Sequence, residues 1–184
     1  TAAAFRDAVR VAVALGAAVN VVRHLAATAH EAELDLDVVA EVEKAAAQIP
    51  LIARIRPNGG TRIEDFEAAG GCMAALKVLE EVLETDAATV SGKTIGELIA
   101  SAETPDSPHL ASLDFPFSTD PGLAIIRGSL APDGAVVKIA AVPDQTRSFS
   151  GKARVFENEA DAIERLAPTH PQHIERGDVV VLRM

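Results

Sequence analysis

The residues that could do chemistry in this chain form few recognisable patterns. Ser91-Gly92-Lys93-Thr94 is similar to the end of a phosphate-binding loop, which needs another glycine five positions before its second one so that backbone N–H groups can wrap a phosphate. That position is occupied by Ala87. We therefore predict no nucleotide site and interpret Thr94 with Glu97 as the start of a helix.

Metal-ligating side chains are few and unsuitably spaced. The single cysteine, Cys72, excludes an internal disulfide and any metal site built from cysteines alone. His24 and His30 lie six residues apart, which places them on different sides of a helix. His170 and His173 flank Pro171 in a predicted loop, but neither a nearby cysteine nor a third suitable ligand accompanies them. We predict no metal or cofactor site in this chain.

The carboxylates are numerous, yet no pair is distinguished as catalytic. Their spacing is typical of helix faces, and we expect them to face solvent. They are Glu31, Glu33, Asp35, Asp37, Glu41, Glu43, Glu80, Glu81 and Glu84. A Ser–His–acid triad cannot be recognised by spacing because its members come from distant positions. The sequence therefore predicts no catalytic residue.

Composition narrows the possible partners. The net charge is −10 and neither half of the chain has a basic face, so nucleic acid and anionic membranes are excluded as partners. No apolar run approaches the roughly 18 residues of a membrane span, and no signal-peptide pattern is present. With no Trp, no Tyr and six Phe, small aliphatic residues must build the core. We expect a cytoplasmic globular protein.

The first half of the chain reads as a series of helices. Apolar periodicity predicts helices over 2–15, 19–32 and 38–49, with Thr1 and Asp37 as N-caps and Pro50 after the third. We expect the second helix to bury Val22, Leu25, Ala26 and Ala29. Thr61 to Glu64 fits a capping box at the start of a short helix, and a further helix is predicted over 72–83.

The second half is richer in β-structure. Strands are predicted over 123–127, 135–142, 153–156 and 178–183, and a helix over 159–166. We predict an α+β fold with a domain boundary near residue 88. Because the chain opens on a helix cap and stops on an apolar strand, we also expect it to have been cut inside a domain.

Several stretches resemble, in the same order, dehydratases of the dihydroxy-acid/6-phosphogluconate (IlvD/Edd) family. The longest, GLAIIRGSLAPDGAVVK at 122–138, is close to the family's GGLAILRGNLAPDGAVVK. The others are ALGAAVN with HLA and AHEA (14–32), IPLIA with PNG (49–59), EDF with AGG (64–71), TVSGKT (89–94), ARVF (153–156) and GDVVV (177–181). The resemblance covers essentially the whole chain.

The resemblance implies a two-domain parent protein. Residues 1–87 would be the last helices of its large α/β domain, and residues 88–184 the first part of a β-barrel-like swivelling domain. Family members dehydrate 2,3-dihydroxy acids or sugar acids to 2-keto acids, and a homo-oligomer is expected. They use an iron–sulfur cluster as Lewis acid, Mg²⁺ at the carboxylate end and a serine that abstracts the C2 proton.

The motifs that carry this chemistry are absent from the chain. The family's cluster cysteines and Mg²⁺ ligands belong upstream of Thr1, and its catalytic serine belongs downstream of Met184. We therefore expect the chain by itself to be inactive and to bind neither cofactor. Cys72 falls at a variable position and is given no cluster role.

Three residues are the best candidates for binding substrate in the parent: Asn20, Thr119 and Lys138. Asn20 is the retained polar member of an altered family motif. Thr119 lies on a turn before the most family-like strand, and loops commonly carry function. Lys138 ends an apolar run, where a cation could meet a carboxylate or phosphate. The alternative is structural: Asn20 as a helix cap and Lys138 as a surface strand end.

One departure from the family leaves the activity of the parent open. The family's Gly-Gly-Ser-Thr-Asn is Gly16-Ala17-Ala18-Val19-Asn20 here, and both hydroxyls are lost. If the hydroxyls face substrate, the parent is a divergent paralogue or a silent relative with a structural or partner-binding role. If they only cap a helix, the loss costs about 1 kcal/mol. A third possibility is an independent acidic binding module.

Overall fold

The computed structural model describes residues 1–104 and 106–183 in two compact units, Thr1–Val142 and Pro143–Met184. The helices are α1 Ala2–Leu15, α2 Asn20–Glu31, α3 Val38–Ala46, α4 Ile63–Ala68, α5 Gly71–Val78, α6 Ile95–Ile99 and α7 Glu159–Glu164. The strands are β1 Ala124–Gly128, β2 Ala131–Val137, β3 Ala153–Phe156 and β4 Val179–Leu182. This mixture confirms the predicted α+β class.

Helices α1 and α3 begin where the sequence predicts. The Thr1 hydroxyl accepts a hydrogen bond from the Ala4 N–H at 3.4 Å, and the Asp37 carboxylate accepts one from the Ala40 N–H at 3.1 Å. These side chains satisfy N–H groups that have no partner within the helix. Helix α1 ends at Gly16, whose φ of 60° is readily adopted only by glycine.

The core of the first unit lies between α1, α2 and α3 and extends under the following segments. Its fully buried members include Val9, Val13, Ile52, Phe66 and Leu79. Alanines at many contact positions allow the helices to approach closely, which compensates for the scarcity of large aromatic side chains. The predicted inner face of α2 is confirmed for Val22 and Ala29, but Ala26 is exposed, so that part of the prediction is wrong.

The capping box predicted at Thr61 is shifted by one residue. Helix α4 starts at Ile63, and the Arg62 N–H donates to Asp65 Oδ2 at 3.3 Å. Thr61 is instead buried, with its hydroxyl 3.4 Å from His109 Nδ1. A long-range contact therefore overrides the local capping signal. The capping box of Thr94 and Glu97 is confirmed at the start of α6.

Strands β1 and β2 form an antiparallel hairpin that packs on α3. Ile125 pairs with Val136 and both side chains lie against the helical core. An ion pair of 2.8 Å joins Arg127 to Glu43 of α3. The strand predicted over 135–142 is shifted: β2 runs from Ala131 to Val137, and a 3-10 turn over Ile139–Ala141 follows because β1 offers no pairing partner beyond Ala124.

The second unit contains α7 and a parallel pair of strands, β3 and β4. The Asn158 side chain caps α7 by accepting from the Asp161 N–H at 2.9 Å. No closed barrel is formed by the described residues. The domain boundary predicted near residue 88 concerns the two domains of a longer parent and stays a prediction.

Candidate functional site

Asn20 lies at the start of α2, directly after the loop that follows Gly16. It is the first residue of the helix, and Val19 occupies the N-cap position without any side-chain capping bond. The Asn20 side chain is exposed and makes no hydrogen bond within the described residues. The structure therefore does not use Asn20 as a helix cap, and its amide is available to a ligand.

Thr119 lies on a turn that is held tightly by the chain around Leu51. The Leu51 N–H donates to the carbonyl oxygens of Ser118 at 3.0 Å and of Asp120 at 3.2 Å. The Ser118 hydroxyl accepts from the Asp120 N–H at 3.2 Å. These bonds fix the backbone on both sides of Thr119 and leave its side chain exposed.

Lys138 follows directly after β2 and is half-buried. It is the N-cap residue of the 3-10 turn Ile139–Ala141 and has an extended backbone, with φ −89° and ψ 90°. Burial lowers the pKa of Lys138, because the charged ammonium loses hydration there. Within residues 1–104 and 106–183, no carboxylate or other acceptor pairs with this ammonium. A half-buried cation without a partner is suited to binding an anion.

The three segments that carry these residues meet at Gly16. A Cβ atom added to Gly16 would lie 3.2 Å from Leu51 Cδ1, 3.3 Å from Ala140 Cβ and 3.7 Å from Gly122 Cα. Gly122 lies three residues after Thr119, and Ala140 two residues after Lys138. We call the contact between Gly16, Gly122 and Ala140 the glycine joint.

Hydrogen bonds reinforce the glycine joint. The Gly122 N–H donates to the Val13 carbonyl at 3.0 Å, and the Ala140 N–H donates to the Gly122 carbonyl at 3.3 Å. Val13 is fully buried in α1, so the joint is anchored to the core. Sequence reasoning identified the three segments separately, but their convergence is a tertiary feature. The roles predicted for Asn20, Thr119 and Lys138 stay predictions.

A partly buried charge network around Asp7 was not predicted from the sequence. Asp7 is 3% exposed, and its Oδ1 accepts from Arg10 at 2.7 Å and from the Glu84 N–H at 2.9 Å. Glu84 in turn accepts from Arg6 at 2.7 Å and from Arg10 at 3.1 Å. Glu84 thus remains partly exposed, with 34% of its side-chain surface accessible, while it is paired with two arginines. One signal was present: Asp7 is seven residues before the buried Ala14, which puts both on the inner face of α1.

The hydrogen bonds of the network shift the pKa values of Glu84 and Arg6. The hydrogen bond from Arg6 lowers the pKa of Glu84 from its ordinary 4.5 to about 2, with a further contribution from Arg10. The same bond raises the pKa of Arg6. Charge-assisted, doubly bonded arginine–carboxylate pairs are among the stronger polar contacts in proteins. This network joins α1 to the segment after α5, and we assign it to stability.

The donor set of the chain does not fit an iron–sulfur cluster. Cys72 is the only thiol, it is exposed, and a cluster is normally held by several cysteines. Among the residues that the structure describes, no three His, Cys, Asp or Glu side chains are grouped so as to hold a metal ion. None of the described helices is long and apolar enough to cross a membrane.

The comparisons with known proteins define the class. Residues 1–98 match the family model "Dihydroxy-acid/6-phosphogluconate dehydratase N-terminal", and residues 109–184 match its C-terminal counterpart. The chain therefore belongs to the dihydroxy-acid/6-phosphogluconate dehydratase family.

The curated relatives of the chain described next all carry the name dihydroxy-acid dehydratase. A dihydroxy-acid dehydratase of Desulfosudis oleivorans is 42% identical over 188 residues, covering 100% of this chain and 33% of the relative. Proteins of the same name from Acetivibrio thermocellus and Ignicoccus hospitalis are 40% and 42% identical over 187 residues each, with the same coverage. The chain thus spans about a third of the length of these relatives.

Proposed function

We propose that this chain acts as part of a hydro-lyase that removes water from a 2,3-dihydroxy acid and yields a 2-keto acid. The observation that carries the proposal is the collinear match, at about 42% identity, between the whole chain and a dihydroxy-acid dehydratase. The substrate is a small hydroxy acid, either a dihydroxy acid or a sugar acid. We further propose a cytoplasmic homo-oligomer.

Lys138 is proposed to bind the anionic end of the substrate. Its ammonium is half-buried and unpaired, so a carboxylate or phosphate would replace lost hydration with a charge-assisted hydrogen bond. Asn20 lies shortly after Gly16, and Thr119 lies shortly before Gly122. The Asn20 amide and the Thr119 hydroxyl are proposed to bind the hydroxyl groups of the substrate. Together they would hold and orient the acid without taking part in proton transfer.

An iron–sulfur cluster and Mg²⁺ are proposed as cofactors of the complete product of the gene. The family chemistry requires a Lewis acid at the leaving hydroxyl, because hydroxide is a poor leaving group. The residues of this chain do not fit either group, since the chain has one thiol and its described part has no cluster of metal ligands. The chain alone is therefore proposed to be inactive.

The experiment is to express the complete product of the gene anaerobically, reconstitute it with iron, sulfide and Mg²⁺, and supply 2,3-dihydroxy acids and sugar acids separately. Formation of a 2-keto acid, measured as its hydrazone, supports the proposal. A folded, cluster-loaded protein that converts none of them contradicts it. The 184-residue chain under the same conditions is the matched control and should show no turnover.

A catalytically silent relative is the second candidate. Val19 is the N-cap residue of α2, has 41% of its surface exposed and makes no side-chain capping bond. No other hydrogen-bonding group therefore takes the place of the hydroxyl groups of the family pattern at this position. Restoring Ala18→Ser and Val19→Thr distinguishes the two candidates. Dehydratase activity that is found in the restored variant but not in the parent supports the silent relative, whereas an already active parent excludes it.

A further inference from the structure

Gly122 lies in a place where no side chain fits. A Cβ atom built on it would be 2.4 Å from Gly16 Cα, 2.4 Å from the Val13 carbonyl oxygen and 2.6 Å from Gly16 N. All three are backbone atoms, so no rotamer change can relieve the contact. Gly128, the last residue of β1, has no atom within 4 Å of the corresponding position. Gly122 is thus required by a long-range contact and not by its own turn.

This contact connects the two matched parts of the family. Gly16 belongs to the stretch that matches the N-terminal family model, and Gly122 and Ala140 belong to the stretch that matches the C-terminal one. The glycine joint therefore fixes β1 and β2 against the end of α1, within a single compact unit. Asn20 lies in the N-terminal matched part, close to Gly16, and Lys138 lies in the C-terminal matched part, close to Ala140.

We propose that Gly122 is a positioning residue, which sets the separation between the Asn20 loop and the Lys138 strand end so that both reach one substrate molecule. This inference rests on the proposed function. Relief of a 2.4 Å contact to an ordinary 3.4 Å or more requires the two backbones to separate by about 1 Å. A displacement of that size at a binding group lowers catalytic efficiency by up to about 10²-fold.

The kinetic test compares Gly122→Ala with Gly128→Ala in the complete product of the gene. Gly122→Ala should lower kcat/KM by tenfold or more, and the loss should appear mainly as a raised KM, because the displaced groups hold the substrate throughout the reaction. Gly128→Ala should remain within twofold of the parent. A variant that only folds less well would lose kcat in proportion to its folded fraction and keep its KM.

A second readout is independent of activity and uses this 184-residue chain. Lysine labelled with ¹³C at Cε reports the pKa of each of the five lysines by NMR, and Lys138→Arg assigns the signal. Burial lowers the pKa of Lys138. Opening the joint admits water, so the Lys138 pKa should rise in Gly122→Ala and stay unchanged in Gly128→Ala.

Gly16→Ala is the second variant if Gly122→Ala does not fold; the φ of 60° at Gly16 strains any other residue, so its free energy of unfolding is measured beside its kinetics. Its new methyl group would meet side-chain atoms of Leu51 and Ala140 at 3.2 and 3.3 Å, which can yield by a few tenths of an ångström. Adding Ala140→Gly removes one of these contacts and should restore part of the loss.

The outcomes separate the two proposals. A raised Lys138 pKa with unchanged KM overturns the positioning role. A Lys138 pKa that stays unchanged in Gly122→Ala, as in Gly128→Ala, shows that the joint does not set the burial of Lys138. This result also overturns the positioning role. A raised Lys138 pKa in the 184-residue chain, found together with a complete gene product that has no dehydratase activity, supports the joint and contradicts the proposed function.

Discussion

The carboxylate of Glu84 offers a direct test of the charge network around Asp7. In the variant Glu84→Gln, the neutral amide can still accept one hydrogen bond, but it loses its attraction to Arg6 and Arg10. Glu81→Gln is the matched control, because Glu81 lies three residues away, is exposed and has no partner within the described residues.

The magnitude follows from the lowered pKa. A shift of the Glu84 pKa from 4.5 to about 2 would correspond to about 3 kcal/mol without screening, since one pKa unit is about 1.4 kcal/mol. The side chains of Arg6 and Glu84 are 31% and 34% exposed, and pairs of this exposure are strongly screened by water. We therefore expect Glu84→Gln to lower the free energy of unfolding by about 1 kcal/mol at pH 7.

The pH dependence has a defined sign. Because the folded-state pKa is lowered, the stabilisation is fully present above the unfolded-state pKa of 4.5 and is lost as the pH falls toward about 2. Urea unfolding, followed by the helical circular dichroism signal, should give a difference between parent and Glu84→Gln that is constant from pH 7 to 5. At pH 3 the difference should be less than half as large.

Two results would refute this reasoning. One is a difference between parent and Glu84→Gln that stays the same from pH 7 to pH 3, because a lost packing contact behaves in that way. The other is a Glu81→Gln variant that loses as much stability as Glu84→Gln, because Glu81 has no arginine partner.

Three further predictions follow from the site and the core. In the complete product of the gene, Lys138→Met should lower kcat/KM by tenfold or more, which corresponds to about 1.4 kcal/mol. The control Lys152→Met, at an exposed lysine, should stay within twofold of the parent. Equal kinetics in the two folded variants would show that Lys138 is structural. Phe66→Ala should destabilise by about 3–5 kcal/mol in urea unfolding, because the side chain is buried, whereas Phe115→Ala, 83% exposed, should change stability by less than about 0.5 kcal/mol. Anaerobic reconstitution of the 184-residue chain should give no stoichiometric visible absorption band, and a band that disappears in Cys72→Ser would contradict the view that one thiol cannot hold the cluster.

Much of the local structure could be predicted from the sequence. Thr1 and Asp37 cap helices as their residue types and positions indicate, and Thr94 with Glu97 forms the expected capping box. These signals are local: a side-chain oxygen satisfies an N–H group two or three residues away, so no distant residue is needed. The family itself was also accessible, because its motifs keep their order along the chain.

Other features depended on partners far away in sequence. Thr61 does not cap α4 but is buried with its hydroxyl 3.4 Å from His109 Nδ1, and Glu84 pairs with Arg6, 78 residues away. A periodic pattern shows which face of a helix is apolar. It does not show which distant side chain lies opposite a polar residue on that face.

The sequence by itself therefore determined the α+β class, the capped helices, the family and the segments that carry Asn20, Thr119 and Lys138. Only the tertiary structure decided that these segments converge, because convergence depends on Gly122 meeting the backbone of Gly16, 106 positions earlier in the chain. It also decided that Lys138 is half-buried and unpaired, since burial is set by the packing of the hairpin on the helices. A glycine in the sequence is compatible with a close backbone contact, but only the folded structure shows which backbone atoms occupy the space that a side chain would need.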